Sequence, residues 1–182
     1  MDAPTKHPLS QFRFCPRCGS PDFREHDARS KHCVACGFTY YHNAAAATVA
    51  VIENARGELL VVRRALEPAK GTLDLPGGFV DPGEGVDEGC RREVREETSL
   101  EVTTMDFLFS LPNVYVFSGF PVHTTDCFFR CKVADESAAG AADDAASLRW
   151  LPWSEVRPEL FGLHSVRRGV ERLLALRRDP LP

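Results

Sequence analysis

Short runs of β-branched and apolar residues recur along the chain and predict strands separated by polar turns. Residues 47–52 and 58–64 are two such runs, and between them Asn54 and Gly57 can adopt turn conformations. We therefore expect these two runs to pair as a hairpin. Further strands are predicted over residues 102–109, 114–117, 124–133 and 148–151, with turns at 111–113 and 118–119.

Two stretches have the composition or the periodicity of helices. Residues 86–98 lack proline and are rich in Arg and Glu, so they predict a helix of about three and a half turns. Near the end of the chain, helical spacing of apolar residues defines one face of a second helix, at Val166, Val170, Leu173 and Leu174. Composition predicts a long loop over residues 70–85, which are rich in Gly and Pro, and a surface loop over residues 134–147.

Composition indicates a globular protein and narrows its partners. The 182 residues are 43% hydrophobic and 26% charged, which suits one good-sized domain or one domain with a small appendage. The formal net charge of −4 argues against a uniformly basic surface, so nucleic acid is not indicated as a partner, although a local basic patch stays open. The longest apolar run, residues 44–52, is far below the roughly 20 residues that span a bilayer. We expect no membrane association, and a cytoplasmic protein with reduced thiols.

Four of the seven cysteines lie near the amino end, in two CxxC motifs. They are Cys15, Cys18, Cys33 and Cys36. Each motif can direct two thiolates at one point, and four sulfurs at about 2.3 Å form the closed tetrahedral site of a structural Zn²⁺ ion. Two disulfides, or four unconnected thiols, are the alternatives. We therefore expect a zinc ribbon over residues 1–42 and a second domain over residues 43–182.

The helix predicted over residues 86–98 places three carboxylates close together, because Glu93, Glu96 and Glu97 fall within an arc of about 100°. Carboxylates at this spacing repel one another, and a cation offsets the repulsion. Hard oxygen ligands suit Mg²⁺ or Mn²⁺, and the preceding loop can add a backbone ligand such as the Gly78 carbonyl. The alternative is a solvated helix in which Glu–Arg pairs balance the charge.

The segment from Gly77 to Leu100 resembles the Nudix box. That pattern is Gly, five residues, Glu, seven residues, Arg-Glu, a bulky aliphatic, any residue, Glu-Glu, any residue, Gly and a bulky aliphatic. Eight of the nine specified positions agree, at Gly78, Glu84, Arg92, Glu93, Val94, Glu96, Glu97 and Leu100. The departure is Ser99, where the family usually has Gly. It bears on the geometry of the helix exit, not on the metal ligands.

The resemblance implies a fold and a reaction. The fold is of the α/β class, a Nudix α/β/α sandwich with a mixed β-sheet, preceded here by the small zinc ribbon. The reaction is hydrolysis of a diphosphate bond in a nucleoside diphosphate linked to another moiety. By position, Glu93, Glu96 and Glu97 would hold Mg²⁺, and Glu93 would help to deprotonate the attacking water. Arg92, paired with Glu84, would orient the carboxylates.

A four-cysteine ribbon directly before a Nudix domain is similar to the arrangement in the NADH pyrophosphatase branch. There, a substrate motif beginning Ser-Gln-Pro-Trp-Pro-Phe starts ten residues after the last aliphatic of the box. The same distance leads here to Ser110, where the Ser-x-Pro start matches but the Trp-Pro-Phe-Pro core does not. Tyr115 and Phe117, two apart on a predicted strand, would share a face and could stack on a base or nicotinamide ring. Packing in the sheet is the alternative for both rings.

Two functions from different classes follow. The first is Mg²⁺-dependent hydrolysis of a pyrophosphate bond in NADH, NAD, ADP-ribose or a related nucleotide, with nucleoside triphosphates also open. The second is a non-hydrolytic regulator that binds a nucleotide or nucleic acid with the same fold and ribbon. Such regulators often lose box carboxylates, and all four are present here, which favours the enzyme. Relatives of this type are commonly dimers, so we expect a homodimer.

Overall fold

The computed structural model describes residues 7–140 and 145–178. The chain divides into two compact units. A ribbon unit consists of Met1–Ala44 with Phe117–Pro121, and a sandwich unit consists of Ala45–Val116 with Val122–Pro182. None of the helices in the described part of the chain combines the length and the apolar character that a bilayer-spanning helix requires.

The ribbon unit contains a small antiparallel sheet. Its strands, in the spatial order β1-β2-β3, are β1 (Phe23–Asp27), β2 (Ser30–Cys33) and β3 (Thr39–Tyr41). Among the described residues, its hydrophobic core cluster consists of Cys15, Phe23 and Cys33, with Cys36 and Phe38 packed against them, and Leu9 is fully buried as well. A core of this size is too small to stabilise a fold alone, so the unit needs a further cross-link.

The remaining strands form two sheets with helices between them in sequence. The elements are β4 (Ala45–Ile52), β5 (Leu59–Arg64), β6 (Leu73–Asp74), α1 (Val86–Thr98), β7 (Val102–Phe117), β8 (Phe120–Val133), β9 (Ala145–Leu151) and α2 (His164–Arg178). One sheet has the order β4-β8-β7 and the other has the order β6-β5-β9. β4 runs parallel to β8, whereas β5 is antiparallel to both β6 and β9, so the strand directions are mixed, as predicted.

Successive side chains of β4 enter two different hydrophobic clusters, and each cluster contains one helix. Val49 packs in the cluster that contains Val170 of α2, whereas Ala50 packs in the cluster that contains Val94 of α1. Because neighbouring side chains of a strand point to opposite faces, the two helices cover opposite sides of the strands. This confirms the predicted α/β/α sandwich. α2 buries the apolar face predicted for it, at Val166, Val170 and Leu173.

α1 occupies the predicted range, and local chemistry explains both of its ends. At the start, the Glu88 carboxylate accepts a hydrogen bond from the Gly85 N–H at 2.8 Å. Acidic residues in this first turn also complement the helix dipole. At the end, Ser99 is left-handed with φ of 61°, and its N–H donates to the Arg95 carbonyl at 2.9 Å. Glycine adopts this conformation without strain, so the serine ends the helix at the family's position with some backbone strain.

The hairpin predicted between the first two apolar runs is wrong. β4 and β5 belong to different sheets, and a bridge between Glu53 and Leu59 joins them at their base. The turn itself forms, because Asn54 Oδ1 accepts the N–H groups of Arg56 and Glu58 at 3.0 and 2.9 Å. The strands separate beyond it because the second half of β4 is buried on both faces, which is typical of a strand with a parallel partner.

The turn predicted at residues 111–113 is also wrong, because β7 is continuous across it. β7 is an edge strand of its sheet, and an edge strand tolerates Pro112, since the missing N–H leaves no ladder bond unmade. The turn predicted at residues 118–119 is confirmed. Ser118 and Gly119 have φ of 51° and 75°, as in the two-residue turns that connect twisted strands of a hairpin.

The last predicted strand begins earlier than expected. β9 starts at residue 145, not 148, which shortens the surface loop predicted over residues 134–147. That loop contains a 3-10 turn over Glu136–Ala138. Residues 141–144 of the predicted loop lie outside the described residues. A second 3-10 turn, Pro158–Leu160, precedes α2.

Candidate functional site

The guanidinium of Arg92 on α1 binds three carboxylates at once. Nε and Nη2 donate to the two oxygens of Glu84 at 2.7 and 3.0 Å. Nη1 donates to Glu93 Oε1 at 2.8 Å and to Glu96 Oε2 at 3.0 Å. Nη2 also donates to the Phe79 carbonyl at 2.9 Å, which ties the preceding loop to the helix. The hydrogen bonds from Arg92 lower the pKa of Glu84 to about 2, so this pair is charged on both sides at neutral pH.

Glu97 is half-buried and is held by the backbone of the loop. Its Oε2 accepts the Gly77 N–H at 3.0 Å, and burial raises its pKa to about 8. Burial also raises the pKa of Glu93, against the opposing effect of Arg92. Glu96 differs, since its side chain is 42% exposed. The carboxylates on this helix face therefore carry an uncompensated cost of burial, which a bound cation would offset.

Two glycines let the loop approach its neighbours closely. A Cβ on Gly78 would lie 2.6 Å from the carboxylate carbon of Glu93, and a Cβ on Gly77 would lie 2.1 Å from the carbonyl oxygen of Thr48. Gly77 also has φ of 147°. The Gly78 carbonyl accepts the Thr48 N–H at 2.8 Å, and a carbonyl oxygen has a second lone pair that can face a cation. The loop therefore needs glycine at both positions.

The carboxylate oxygens of Glu93, Glu96 and Glu97 and the Gly78 carbonyl are of the type that Mg²⁺ and Mn²⁺ prefer. In the described part of the chain these carboxylates do not converge as tightly as the four cysteines, whose ligand atoms all lie within 4.8 Å of one another. Among the described residues, no Arg or Lys lies within ion-pair distance of Glu97, whose contact is a backbone N–H. The chemistry and the charge of the site therefore fit the metal that the resemblance implies.

β7 carries the three predicted substrate residues, and Tyr115 and Phe117, two residues apart, share a face of the strand that Ser110 does not. Exposure alternates along this part of β7, so Ser110 points to the face opposite that of Tyr115. Tyr115 is half-buried, and burial followed by the charge of Asp126 raises the pKa of its phenol. Phe117 is 57% exposed and belongs to the ribbon unit. Ser110 therefore lies away from the surface expected around Tyr115.

Two buried carboxylates were not singled out by any motif. Asp126 on β8 is 5% exposed and accepts hydrogen bonds from the hydroxyls of Thr124, at 2.5 Å, and Ser165. Asp74 at the end of β6 pairs with Arg64 at 2.6 Å. A charged residue inside an apolar strand was the feature that could have identified Asp126, since a carboxylate is buried only with hydrogen-bond partners.

The sulfurs of the four amino-terminal cysteines converge, and all lie within 4.8 Å of one another. The Sγ–Sγ distance is 3.7 Å between Cys15 and Cys36 and 3.6 Å between Cys18 and Cys33. A disulfide requires about 2.05 Å, so the disulfide alternative does not form. A tetrahedral ion with bonds of about 2.3 Å has sulfur–sulfur edges of about 3.8 Å. The cluster therefore has the dimensions of a closed four-sulfur metal site.

A glycine turn follows each CxxC motif and aims its sulfurs. Gly19 and Gly37 have φ of 74° and 73°, which glycine adopts readily. Their N–H groups donate to the carbonyls of Cys15 and Cys33 at 2.8 and 2.9 Å. The two halves of the cluster thus have the same backbone geometry.

The three later cysteines lie in or against the core of the sandwich unit. Cys90 and Cys131 are at most 2% exposed, so they act as small apolar residues of the core. Cys127 is half-buried and packs against the same cluster.

The family model described as NUDIX domain matches residues 42–174. The chain belongs to the NUDIX domain family. The match includes the loop, α1 and the strands that carry the candidate residues described above, and it begins after the cysteine cluster.

Curated relatives of this Nudix chain share one printed name. The NAD-capped RNA hydrolase NudC of Stutzerimonas stutzeri (strain A1501) is 28% identical over 171 residues, which cover 93% of this chain and 58% of that protein. The protein of the same name from Pseudomonas putida (strain W619) is 27% identical over 172 residues, which cover 94% of this chain and 59% of that protein. The chain therefore spans less than two thirds of the length of these relatives.

Solved structures show the same fold. A NUDIX hydrolase from Nitrosomonas europaea gives a TM-score of 0.72 at 20% identity, covering 93% of this chain and 94% of that one. The NUDIX domain of Shewanella oneidensis NrtR, crystallised with ADP ribose, gives a TM-score of 0.60 at 18% identity, covering 76% and 90% of the two chains. At these identities the likeness concerns the fold alone.

Proposed function

We propose that this Nudix chain is a metal-dependent pyrophosphohydrolase that cleaves the diphosphate bond of a nucleoside diphosphate linked to another moiety, such as NAD(H) or ADP-ribose. The observation that carries the proposal is the carboxylate arrangement on α1. Arg92 gathers Glu84, Glu93 and Glu96, while the loop backbone holds Glu97. The relatives named NAD-capped RNA hydrolase support an NAD-type substrate.

The oxygen donors on α1 would hold Mg²⁺ or Mn²⁺, through Glu93, Glu96 and Glu97 with the Gly78 carbonyl. When bound, the metal supplies positive charge to the phosphoryl oxygens and lowers the pKa of water. Arg92 remains anchored by both oxygens of Glu84 when the other carboxylates turn to a cation. This pair therefore keeps the ligand side chains oriented, as hydrogen-bond partners behind metal ligands commonly do.

We assign the acceptance of a proton from the attacking water to Glu93. Its carboxylate fills the space that a Cβ on Gly78 would need, so it lies where the loop meets the helix. Arg92 binds its Oε1, which leaves Oε2 to accept a proton. A base must lie within hydrogen-bond reach of the water that it activates. We expect the attacking water to bind where the loop meets the helix, within reach of Glu93.

Tyr115 is the ring that we propose to contact the substrate. It is half-buried on β7, and the charges of Asp126 and Arg64 act on its phenol. Stacking of an aromatic side chain on a base contributes about 1–3 kcal/mol, so Tyr115→Ala is expected to raise KM by about tenfold with little change in kcat. An unchanged KM would assign the ring to packing. Phe117 and Ser110 stay predictions: Phe117 shares a face of β7 with Tyr115, whereas Ser110 lies on the opposite face.

Zinc is the ion that we propose for the cysteine cluster, held by Cys15, Cys18, Cys33 and Cys36. Four thiolates leave no coordination position for water, so this ion would stabilise the ribbon over residues 1–42 and take no part in the chemistry of the domain over residues 43–182. The small core of the ribbon unit supports this division, because metal binding supplies folding free energy that such a core lacks.

We propose that the protein is a homodimer and that it works in the cytoplasm. Val114 and Val116 are 51% and 67% exposed on the edge strand β7, which gives a second copy an apolar strip and a row of backbone groups to pair with. A cluster of reduced thiols suits a reducing compartment. Light scattering is expected to give twice the chain mass of 20.2 kDa, and a mass of one chain would contradict the dimer.

The test is a substrate panel with Mg²⁺ or Mn²⁺. It contains NADH, NAD⁺, ADP-ribose, NAD-capped RNA and nucleoside triphosphates, and it measures release of phosphate or mononucleotide. Glu97→Gln is expected to reduce turnover of the preferred substrate by about 100-fold or more, whereas Glu101→Gln, an exposed control beyond the helix, leaves it unchanged. Binding of nucleotides without turnover by the wild type would favour a regulator and overturn the proposal.

A further inference from the structure

The ribbon unit includes a short segment from much later in the chain. Residues 117–121, the turn between β7 and β8, belong to it by contact, although more than seventy residues separate them from Ala44. The side-chain amide of Gln11 donates to the Gly119 carbonyl at 2.9 Å, which fixes the tip of the turn. The turn is therefore held by a segment that is distant in sequence.

Aromatic rings anchor the same turn. The ring of Phe120 meets Phe12 edge to face, with 5.5 Å between centroids, and meets His42 in the same way at 5.9 Å. Phe12 stacks in turn on Tyr40 of β3 at 6.2 Å. Edge-to-face and stacked pairs at these distances are the favourable geometries for aromatic rings. Phe120 is thus half-buried among rings of the ribbon.

The segment that holds Phe120 is itself tied to the ribbon sheet. The buried Lys31 of β2 donates from Nζ to the Phe12 carbonyl at 2.8 Å. Two residues later in the same strand, Cys33 belongs to the four-cysteine cluster. The cysteine cluster is therefore linked to Lys31 along the backbone of β2, and Lys31 is linked by contacts through Phe12 to Phe120.

We propose that the ribbon unit is a clasp that holds the β7–β8 turn, and that Phe12 and Phe120 are positioning residues for the end of β7. Tyr115 lies two residues before this segment on the same strand. Loss of the ring contacts frees the turn, and the backbone at Tyr115 then samples conformations that do not present the ring to the substrate. The structural part stands alone, whereas the effect on substrate binding rests on the proposed function.

The experiment compares Phe120→Ala and Phe12→Ala with Phe14→Ala. Phe14 is 60% exposed and has no ring contact among the described residues, so it controls for loss of an aromatic side chain in the same unit. Two measurements are made on the full chain: amide hydrogen exchange of residues 113–121 by mass spectrometry, and KM and kcat for NADH with Mg²⁺.

Both ring variants are expected to exchange the amides of residues 113–121 about tenfold faster than the wild type, because local opening governs exchange. KM is expected to rise about fivefold or more with kcat within about twofold, since the carboxylates on α1 are untouched. Phe14→Ala stays at wild-type values, and Phe120→Tyr, which keeps a ring, restores them. Unchanged exchange in both ring variants overturns the clasp, and faster exchange with unchanged KM overturns its role in positioning.

Gln11→Ala is a milder variant for the case in which loss of a ring unfolds the ribbon, because it removes only the bond to Gly119. Metal content near one ion per chain verifies that the ribbon is intact in every variant. If the wild type hydrolyses no nucleotide, the proposed function fails, and hydrogen exchange still decides whether the turn is clasped.

Discussion

The cysteine cluster and the carboxylates on α1 are both candidate metal sites, and they are organised in opposite ways. In the ribbon, four sulfurs lie within 4.8 Å of one another, aimed by two equivalent glycine turns. On α1, the candidate ligands are held by donors of the protein itself, Arg92 for Glu93 and Glu96, and Gly77 for Glu97.

From this difference we expect the ribbon to fold together with its ion, and the carboxylates on α1 to be ordered without one. Thiolates this close together are stable when a cation neutralises them, so metal and fold of the ribbon are coupled. Arg92 and a backbone N–H orient the carboxylates on α1, so we expect the helix to be folded with or without an ion, and a cation to offset the remaining cost of burying Glu93 and Glu97. Variants that affect one region and spare the other test this contrast.

Removal of one thiolate is expected to have the largest effect. Cys33→Ser leaves three sulfurs, and zinc content should fall from about one ion per chain to near zero, with loss of protection of the β1–β3 amides, because the ribbon core cannot fold alone. Metal analysis and hydrogen exchange measure both. Cys127→Ser, outside the cluster, is the control. Full zinc content in Cys33→Ser would exclude it as a ligand.

A change of the cation on α1 is expected to act on catalysis and to spare the ribbon. Arg92→Lys keeps the charge but loses the planar fork that binds Glu84 through two nitrogens, so kcat should fall by about 10- to 100-fold at unchanged zinc content. Arg95→Lys, on the exposed side of the same helix, should leave kcat unchanged. Equal kcat values for the two variants would remove Arg92 from the organisation of the site.

The same substitution at a glycine of each region is expected to have unequal costs. A Cβ on Gly19 would have nothing within 4 Å, so Gly19→Ala costs only the strain of its positive φ, about 1 kcal/mol of unfolding free energy. Gly77→Ala adds a clash with the Thr48 carbonyl oxygen, 2.1 Å from the new Cβ, so we expect about 2–4 kcal/mol. Urea unfolding of the metal-loaded proteins measures both. Similar losses would show that the loop can move away from β4.

Features encoded by a short stretch of sequence were predicted well. α1 was placed at its observed bounds by composition, and the contact between Arg92 and Glu84 followed from the resemblance to the Nudix box. Convergence of the cysteines followed from the spacing of two CxxC motifs. On α1 and in its loop the interacting residues are close in sequence. In the ribbon the two CxxC motifs have the same backbone geometry.

Features that depend on a distant partner were missed. β4 was expected to pair with β5, but it pairs with β8, where Thr48 lies opposite Cys127. The local sequence of a buried strand does not indicate which strand it pairs with. The turn predicted at residues 111–113 was wrong for a similar reason. Only the sheet order shows that β7 is an edge strand, in which Pro112 is tolerated. The Gly77–Glu97 contact depends on the path of a loop that composition described only as irregular.

The smallest expected effect is on the stability of the protein at acid pH, through Glu84 beside α1. The hydrogen bonds from Arg92 lower the pKa of Glu84 from an ordinary value of 4.5 to about 2. A lowered pKa in the folded state contributes stability that is present above pH 4.5 and is lost as the pH falls towards 2. Glu84→Gln should therefore be less stable than the wild type at pH 7, and the two unfolding midpoints should converge as the pH falls through this window.

Thermal unfolding in chelator-free buffer, followed at pH 7, 5, 4 and 3, measures this convergence. Glu101→Gln, which lies outside the Arg92 cluster, is the matched control and should stay parallel to the wild type at every pH. A constant difference between wild type and Glu84→Gln across the window would mean that the Arg92 pair does not lower this pKa in solution. The carboxylates on α1 would then be oriented mainly by backbone contacts such as Gly77–Glu97. Both candidate metal sites would in that case be organised mainly by their backbone.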